Sequence, residues 1–351
     1  MDVSVVGASG DCGREIVSQL LDFRVLAPTE RLQLVGRAQG KSARSLYGLR
    51  SDLEDAYAEV APHFDVALHP EEVVGDIVVF CAGATLSADG KATSRDELVA
   101  SNLPLFHRYA AAIAHYGHGQ EIILIVTNPV ELAVDVFSRY LGRQRVIGIG
   151  AYSDSLRFRR EIARDLGVRR QLVQGFVVGE HGEGMVPLWS SVRIYGFDSE
   201  ELTRTIEQVR RRSIDQFPEE IRQVKQTVFD YLKAENIQEA YRYVDSLPPD
   251  LRVVLKPFVT QMSGAKTISA TANVTVNLVR HLMEGQEIVV SGQVKLDGEF
   301  YDLREPFGVP IVVTPFGWTQ VVPLELWEDE VRLLKRQSDR LKLKLQQWTE
   351  R

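Results

Sequence analysis

Over its first 150 residues the chain alternates short, mostly apolar runs with stretches of helical periodicity, and no other feature narrows the fold as much. Val3–Val6, Leu32–Val35, Ile77–Cys81, Ile122–Val126 and Val146–Ile149 read as buried strands. Between them, Ile16, Val17, Leu20 and Leu21 recur at helical spacing, Leu98 to Ile113 predicts a helix, and another begins near Glu131. Strands that are apolar on both faces need cover on both faces, and intervening helices supply it when the strands are parallel. The pattern predicts a doubly wound parallel sheet of the Rossmann type.

The second half has a different rhythm. Leu172–Val178 reads as a strand ending in a glycine-rich turn, and Glu200 to about Lys233 predicts one long charged helix. Ile288–Lys295, Ile311–Val313 and Gln320–Val322 have hairpin-like spacing, which predicts a mixed or antiparallel sheet. Trp327 to the end reads as an amphipathic helix with Val331, Leu334, Leu341 and Leu345 on its apolar positions. With 351 residues the chain is long enough for two domains. The change of pattern divides it into a dinucleotide-binding domain, 1–150, and an α+β substrate or catalytic domain, 151–351. There is no internal repeat and no low-complexity linker.

Composition removes several classes of function. A hydrophobic share of 44% with 25% charged residues is that of a soluble globular protein. The formal net charge of -7 provides no basic field for nucleic acid or an acidic membrane surface. Arg157, Arg159 and Arg160, and Arg210 to Arg212, sit among acids and read mainly as solvated helix faces. Two cysteines, Cys12 and Cys81, exclude a disulfide framework, and no metal-ligand spacing joins them to a histidine, so no metal site is expected. There is no signal-peptide pattern and no apolar stretch of membrane-spanning length. These readings predict a cytoplasmic protein that acts on small molecules.

Gly7-Ala8-Ser9-Gly10-Asp11-Cys12-Gly13 joins the first strand to the first helix. Glycines there let the backbone approach a pyrophosphate, and the helix N-terminus adds free N–H groups and a positive dipole end. An acid for the ribose 2′-hydroxyl is expected about 20 residues further on, at the end of the second strand. The chain has Gly36-Arg37 instead, with Lys41 and Ser42 behind. Arg37 suits a 2′-phosphate, so NADP is expected to be at least accepted, with a preference for it as the further expectation; otherwise Arg37 is a surface arginine and NAD is held by other contacts.

Three further motifs stand at strand ends. Thr127-Asn128-Pro129-Val130 follows Ile122–Val126, at the edge where open α/β sheets bind ligands. Ser153-Asp154-Ser155-Leu156-Arg157 opens a helix after Val146–Ile149, with Asp154 and Arg157 on one helix face. Gly179-Glu180-His181-Gly182-Glu183-Gly184 follows Leu172–Val178. Singly, these read as a turn, a helix start and a loop histidine. Together with the glycine turn, and in this order and approximate spacing, they resemble the malate/lactate dehydrogenase family; Val35-Gly36-Arg37 with Gly48-Leu49-Arg50-Ser51-Asp52 looks most like its archaeal-type malate dehydrogenases that use NADP.

The resemblance implies roles that the residue types can bear. His181 would exchange the proton of the substrate hydroxyl or carbonyl, and Asp154 would orient the imidazole and stabilise its protonated form. Arg157 would grip the substrate carboxylate with its planar fork. Asn128 would bond the reacting oxygen and line the cofactor site, with a cis bond to Pro129. Arg95 would polarise the carbonyl from a mobile loop that closes over the site. Thr267, in Gly264-Ala265-Lys266-Thr267-Ile268, matches a position on the far side of the pocket. The family's dimers and tetramers imply a homo-oligomer.

Two departures stand out. The loop Ala82–Lys91 lacks the family's Pro-Arg pair, and Lys91 is its only cation. Lys91 either neutralises a second substrate carboxylate as a point charge or is simply solvated. The segment from about Phe217 to Pro257 is enlarged, with Asn236–Arg242 and Leu247-Pro248-Pro249 predicting an extra helix and a turn. The leading expectation is hydride exchange between NAD(P) and a 2-hydroxy/2-oxo acid, with L-malate/oxaloacetate ahead of lactate or another 2-hydroxy acid. The alternative of a different class is a nucleotide-binding protein that keeps the fold without catalysis.

Overall fold

The computed structural model describes residues 1–85 and 95–349, and its described strands form one 11-stranded mixed sheet. The parallel part holds β1 (Val3–Val6), β2 (Arg31–Val35), β3 (His63–Ala67), β4 (Ile77–Phe80), β5 (Ile122–Ile125) and β6 (Val146–Gly148). Their order across the sheet is β3-β2-β1-β4-β5-β6. In register, Val5 lies between Leu34 of β2 and Val79 of β4, all fully buried. Helices α1 (Asp11–Asp22), α2 (Ser42–Ala56), α3 (Arg95–Tyr116) and α4 (Val130–Leu141) connect these strands, and α5 (Gly150–Leu166) follows β6. A cluster of Phe80, Phe106, Tyr109 and Phe137 locks α3 and α4 onto β4 through edge-on and tilted ring contacts. The strand order reverses at β1, which opens a crevice at the carboxyl ends of β1 and β4.

The sheet continues without a break into antiparallel strands. β7 (Val173–Gly179) pairs β8 (Met185–Ile194), and the chain then forms α6 (Ser199–Arg210), α7 (Phe217–Lys233), α8 (Ile237–Asp245), α9 (Pro249–Met262) and α10 (Ile268–Met283). β9 (Ile288–Lys295) joins β6 on one side and β10 (Pro306–Thr314) on the other, and β10 also pairs β7 and β11 (Gly317–Val321). The last helix, α11 (Glu328–Thr349), buries Leu334, Leu341 and Leu345 as its periodicity predicted. Among the described residues no helix is long and apolar enough to cross a membrane.

One sequence expectation needs correction. Glu200 to Lys233 is two helices, not one. α6 ends where Arg211 takes a left-handed φ of 64°; Ser213 then caps a 3-10 turn, Ile214–Gln216, and Pro218 lies in the first turn of α7. Proline fits a first helical turn because it has no N–H to lose there. The break is held by the Asp329 carboxylate, which accepts from the Ile214 N–H at 3.0 Å and the Ser213 hydroxyl at 2.9 Å. β3, β8 and α2 were not predicted: His63–Ala67 and Met185–Ile194 mix polar or proline residues into the strand and blur its period. The enlarged segment holds α7 to α9, with Asn236 capping α8. It is tied to α5 through the buried Glu161, which takes Arg252 and Lys256 of α9, each at 2.8 Å.

Candidate active site

The glycine turn lies at the crevice, and its glycines answer to different demands. Gly7 has φ 96°, and a Cβ there would sit 2.8 Å from the Ala82 amide nitrogen. A Cβ on Gly13 would come within 2.2 Å of the Gly7 carbonyl oxygen. The chain itself therefore requires both. Gly10 is exposed, and a Cβ there would meet only the Gly7 oxygen, at 3.4 Å, an ordinary contact. What Gly10 leaves open is space in front of α1, whose first-turn N–H groups precede the earliest intrahelical bond, Arg14 N–H to the Gly10 carbonyl. That is a cradle fitted to a pyrophosphate. We expect Gly13→Ala to lower stability by roughly 1–3 kcal/mol through overpacking, and Gly10→Val to leave the melting temperature alone while weakening dinucleotide binding. Thermal melts beside cofactor fluorescence titrations check both; equal effects in the two assays would refute the division.

Around the cradle, Ala8 is buried, Ser9 meets the Ser42 hydroxyl at 3.0 Å, and Ser42 accepts the Arg37 N–H at 3.2 Å. Arg37 itself is exposed at the carboxyl end of β2, beside the turn. Asp11 pairs with Lys266 at 2.8 Å, which joins the turn to the start of α10, where Thr267 is the cap residue. Thr267 thus stands on the α1 side of the crevice. The Cys12 thiol is pushed up to about 11 by burial, with Glu15 and Asp11 adding to the effect, so it stays protonated and inert.

Asn128 is exposed at the end of β5, and its bond to Pro129 is cis. Its position is set by a residue that sequence reasoning missed. The buried Asn102 of α3 donates to the Asn128 carbonyl at 2.9 Å and exchanges two hydrogen bonds with the Ala84 backbone. Lys91 lies outside the described residues, and Arg95 enters only as the first residue of α3.

His181 meets Asp154, the pairing that the family resemblance implied. Its Nδ1 lies 2.7 Å from Asp154 Oδ2, and Arg157 donates to the other oxygen, Oδ1, at 2.8 Å. Asp154 is 1% exposed and the imidazole 26%, so a buried carboxylate holds a ring that still reaches the surface. The bond to Asp154 uses a single N–H of the five in the Arg157 guanidinium. Burial pulls the His181 pKa down, but the charge and hydrogen bond of Asp154, with Glu131 behind, outweigh it and leave the imidazole above its ordinary value. Nδ1–H directed at Asp154 makes Nε2 the atom free to exchange a proton.

Local geometry explains why the histidine sits there. β7 ends at Gly179 with φ 100°, which turns the chain sharply, and the imidazole packs against Gly150 at the start of α5. A Cβ on Gly150 would lie 2.6 Å from the His181 ring. The Ser155 hydroxyl accepts the Val177 N–H at 2.9 Å, pinning α5 to β7. Two more carboxylates also went unpredicted. Glu131 of α4 accepts the His181 backbone N–H at 2.7 Å, and burial together with the Glu180 charge raises its pKa to about 7. Lys344 of α11 donates to both oxygens of Glu180 at 2.6 Å. An acid in a first helical turn is ordinary, so nothing in the sequence marks Glu131.

The profile for the NAD binding domain of lactate/malate dehydrogenases matches residues 1–148, and that for their alpha/beta C-terminal domain matches 153–231. The chain belongs to the lactate/malate dehydrogenase family. Its members act on CH–OH groups, and this one carries the family's NAD-binding domain. Over 350 residues it is 26% identical to the L-2-hydroxycarboxylate dehydrogenase (NAD(P)(+)) of Methanocaldococcus jannaschii, covering 97% of each chain. It is 28% identical over 337 residues to the malate dehydrogenase of Methanothermobacter thermautotrophicus, covering 94% of this chain and 91% of that one. With the L-lactate dehydrogenase of Bacillus licheniformis it shares 28% over 269 residues, 76% of this chain and 73% of the other. The malate dehydrogenase of Cryptosporidium parvum superposes with a TM-score of 0.76 at 21% identity, covering 100% of this chain and 99% of that one, a likeness of fold.

Proposed function

We propose that the protein exchanges a hydride between a nicotinamide dinucleotide and a small 2-hydroxy/2-oxo acid, with L-malate/oxaloacetate as the first substrate. The observation that carries this reading is the chain of contacts from Arg157 through Asp154 to His181, at the same carboxyl edge of the parallel sheet as the glycine cradle. In the proposed mechanism, the guanidinium of Arg157 holds the substrate carboxylate. Asn128 steadies the reacting oxygen, and His181 Nε2 takes the hydroxyl proton during oxidation and returns it during reduction. Asp154 stabilises the imidazolium that forms. A bound nicotinamide supplies the hydride acceptor or donor. The first turn of α1 and the Gly7–Gly13 backbone would hold its pyrophosphate.

For the cofactor, we propose that NADP is accepted, with Arg37 meeting the 2′-phosphate. The absence of an acid there and the exposure of Arg37 beside Ser42 support this. So does the name of the Methanocaldococcus relative, which gives NAD(P). Malate stands first because of the Methanothermobacter relative and because Lys91 supplies a cation in the loop. L-lactate is the second reading, favoured by the missing Pro-Arg pair and the Bacillus relative. A cytoplasmic homodimer or homotetramer completes the reading, and sedimentation tests the subunit count.

The deciding experiment crosses L-malate, L-lactate and longer 2-hydroxy acids with NAD and NADP, in the native protein and in Arg37→Asp. We expect turnover of malate with both cofactors, and at least a tenfold loss confined to NADP in the variant, about what one charge-assisted bond contributes. Cofactor binding without turnover on every acid would favour a non-catalytic family member.

A further inference from the structure

The loop that carries His181 is held from the far end of the chain. Glu180, the residue before the histidine, is buried, and both its oxygens accept from Lys344 at 2.6 Å. The loop closes tightly on that carboxylate: a Cβ on Gly184 would lie 2.5 Å from Glu180 Oε2. The buried Glu131 of α4 in turn takes the His181 N–H at 2.7 Å. Two buried carboxylates therefore flank the His181 backbone, and Lys344 delivers an ammonium to one of them. A buried carboxylate stays ionised and seated only when it is paired. The second ion pair of the loop, Lys225 of α7 to Glu183 at 2.5 Å, is more open, with its carboxylate 38% exposed. An exposed pair of that kind contributes little.

We propose that Lys344 is a positioning residue for the reaction: by seating Glu180 it fixes the His181 backbone, and so the imidazole, against Asp154. The inference rests on His181 being the proton exchanger. Proton transfer is sensitive to distance, and a displacement of about 1 Å at a reacting group costs on the order of 100-fold. The cradle at α1 is built from other elements, so cofactor binding should not follow.

The test compares Lys344→Met, Lys344→Arg, Lys344→Met with Glu180→Gln, and Lys225→Met, reading kcat, KM, cofactor affinity and melting temperature. We expect Lys344→Met to lower kcat by about 10- to 100-fold with cofactor affinity held within about twofold. Lys344→Arg should restore most of the rate. The double variant should exceed Lys344→Met, because a neutral glutamine needs no cation. Lys225→Met should stay within about threefold of the native rate. Native kcat in Lys344→Met, or no recovery in the double variant, would overturn the inference. If Lys344→Met does not fold, the Arg and double variants decide it by the same criteria. A fully active His181→Asn would instead sink the underlying reading, whereas an inactive His181→Asn beside an unimpaired Lys344→Met sinks only this one.

Discussion

Replacing His181 with Asn is expected to slow turnover by about 10²- to 10⁴-fold, the range a positioned general acid/base supplies, while dinucleotide affinity stays unchanged. Asparagine fills much of the same space but has no proton to exchange near neutral pH. The fold should survive, because Asp154 keeps the Arg157 bond at 2.8 Å and is not left as an unpaired buried charge. The cradle should survive too, since it is made by β1, α1 and the loop after β4. The pH dependence has a definite sign. Despite burial, Asp154 holds the imidazole above its ordinary pKa, so the imidazolium persists past pH 6.5. Reduction of the oxo acid needs that form and should decline only as pH rises through the raised value; oxidation of the hydroxy acid should rise over the same interval. The same shift contributes folding stability that is full below the unfolded pKa and lost above the folded one. Asp154→Asn should move both kinetic limbs to lower pH. Steady-state rates across pH, with fluorescence titration of the reduced cofactor, provide the check. A His181→Asn enzyme that keeps a tenth of the native rate would remove the histidine from the mechanism.

How far the sequence led depended on what kind of force set each feature. The parallel strands β1, β2, β4, β5 and β6 were legible because they are buried on both faces, and burial writes itself into composition. β3 and β8 were not, because His63 and Asp65 or Pro187 and Arg193 break the apolar run. His181, Asp154 and Arg157 could be singled out because the motifs that carry them together resemble those of a known family, and the fold brings both His181 and Arg157 within 2.8 Å of Asp154. Glu131, Asn102 and Lys344 could not. Each is an ordinary helix residue whose importance comes from a backbone group or carboxylate far away in sequence: 50 residues for Glu131 to His181 and 164 for Lys344 to Glu180. Gly150 is similar. Only the ring stacked against it shows why a side chain is forbidden there.

Arg157→Gln should lower kcat/KM by about 30- to 4,000-fold, mostly through KM. Truncating one partner of a buried charge pair costs roughly 2–5 kcal/mol, and each 1.4 kcal/mol is tenfold. The guanidinium is well placed for this loss to fall on the substrate. It is 13% exposed, fixed at one N–H by Asp154, and so pre-aimed without spending much side-chain entropy on binding. Arg157→Lys should fall between the native protein and Gln, because it keeps the charge but not the planar fork. Two jobs could be confused here, gripping the carboxylate and steadying Asp154, and pH separates them. The Arg157 charge lowers the imidazole pKa while Asp154 raises it. Arg157→Gln should therefore move the kinetic limb to higher pH, opposite to Asp154→Asn, and raise KM at every pH. A variant whose KM stays native while kcat alone drops would assign Arg157 to Asp154 and leave the substrate carboxylate to another residue.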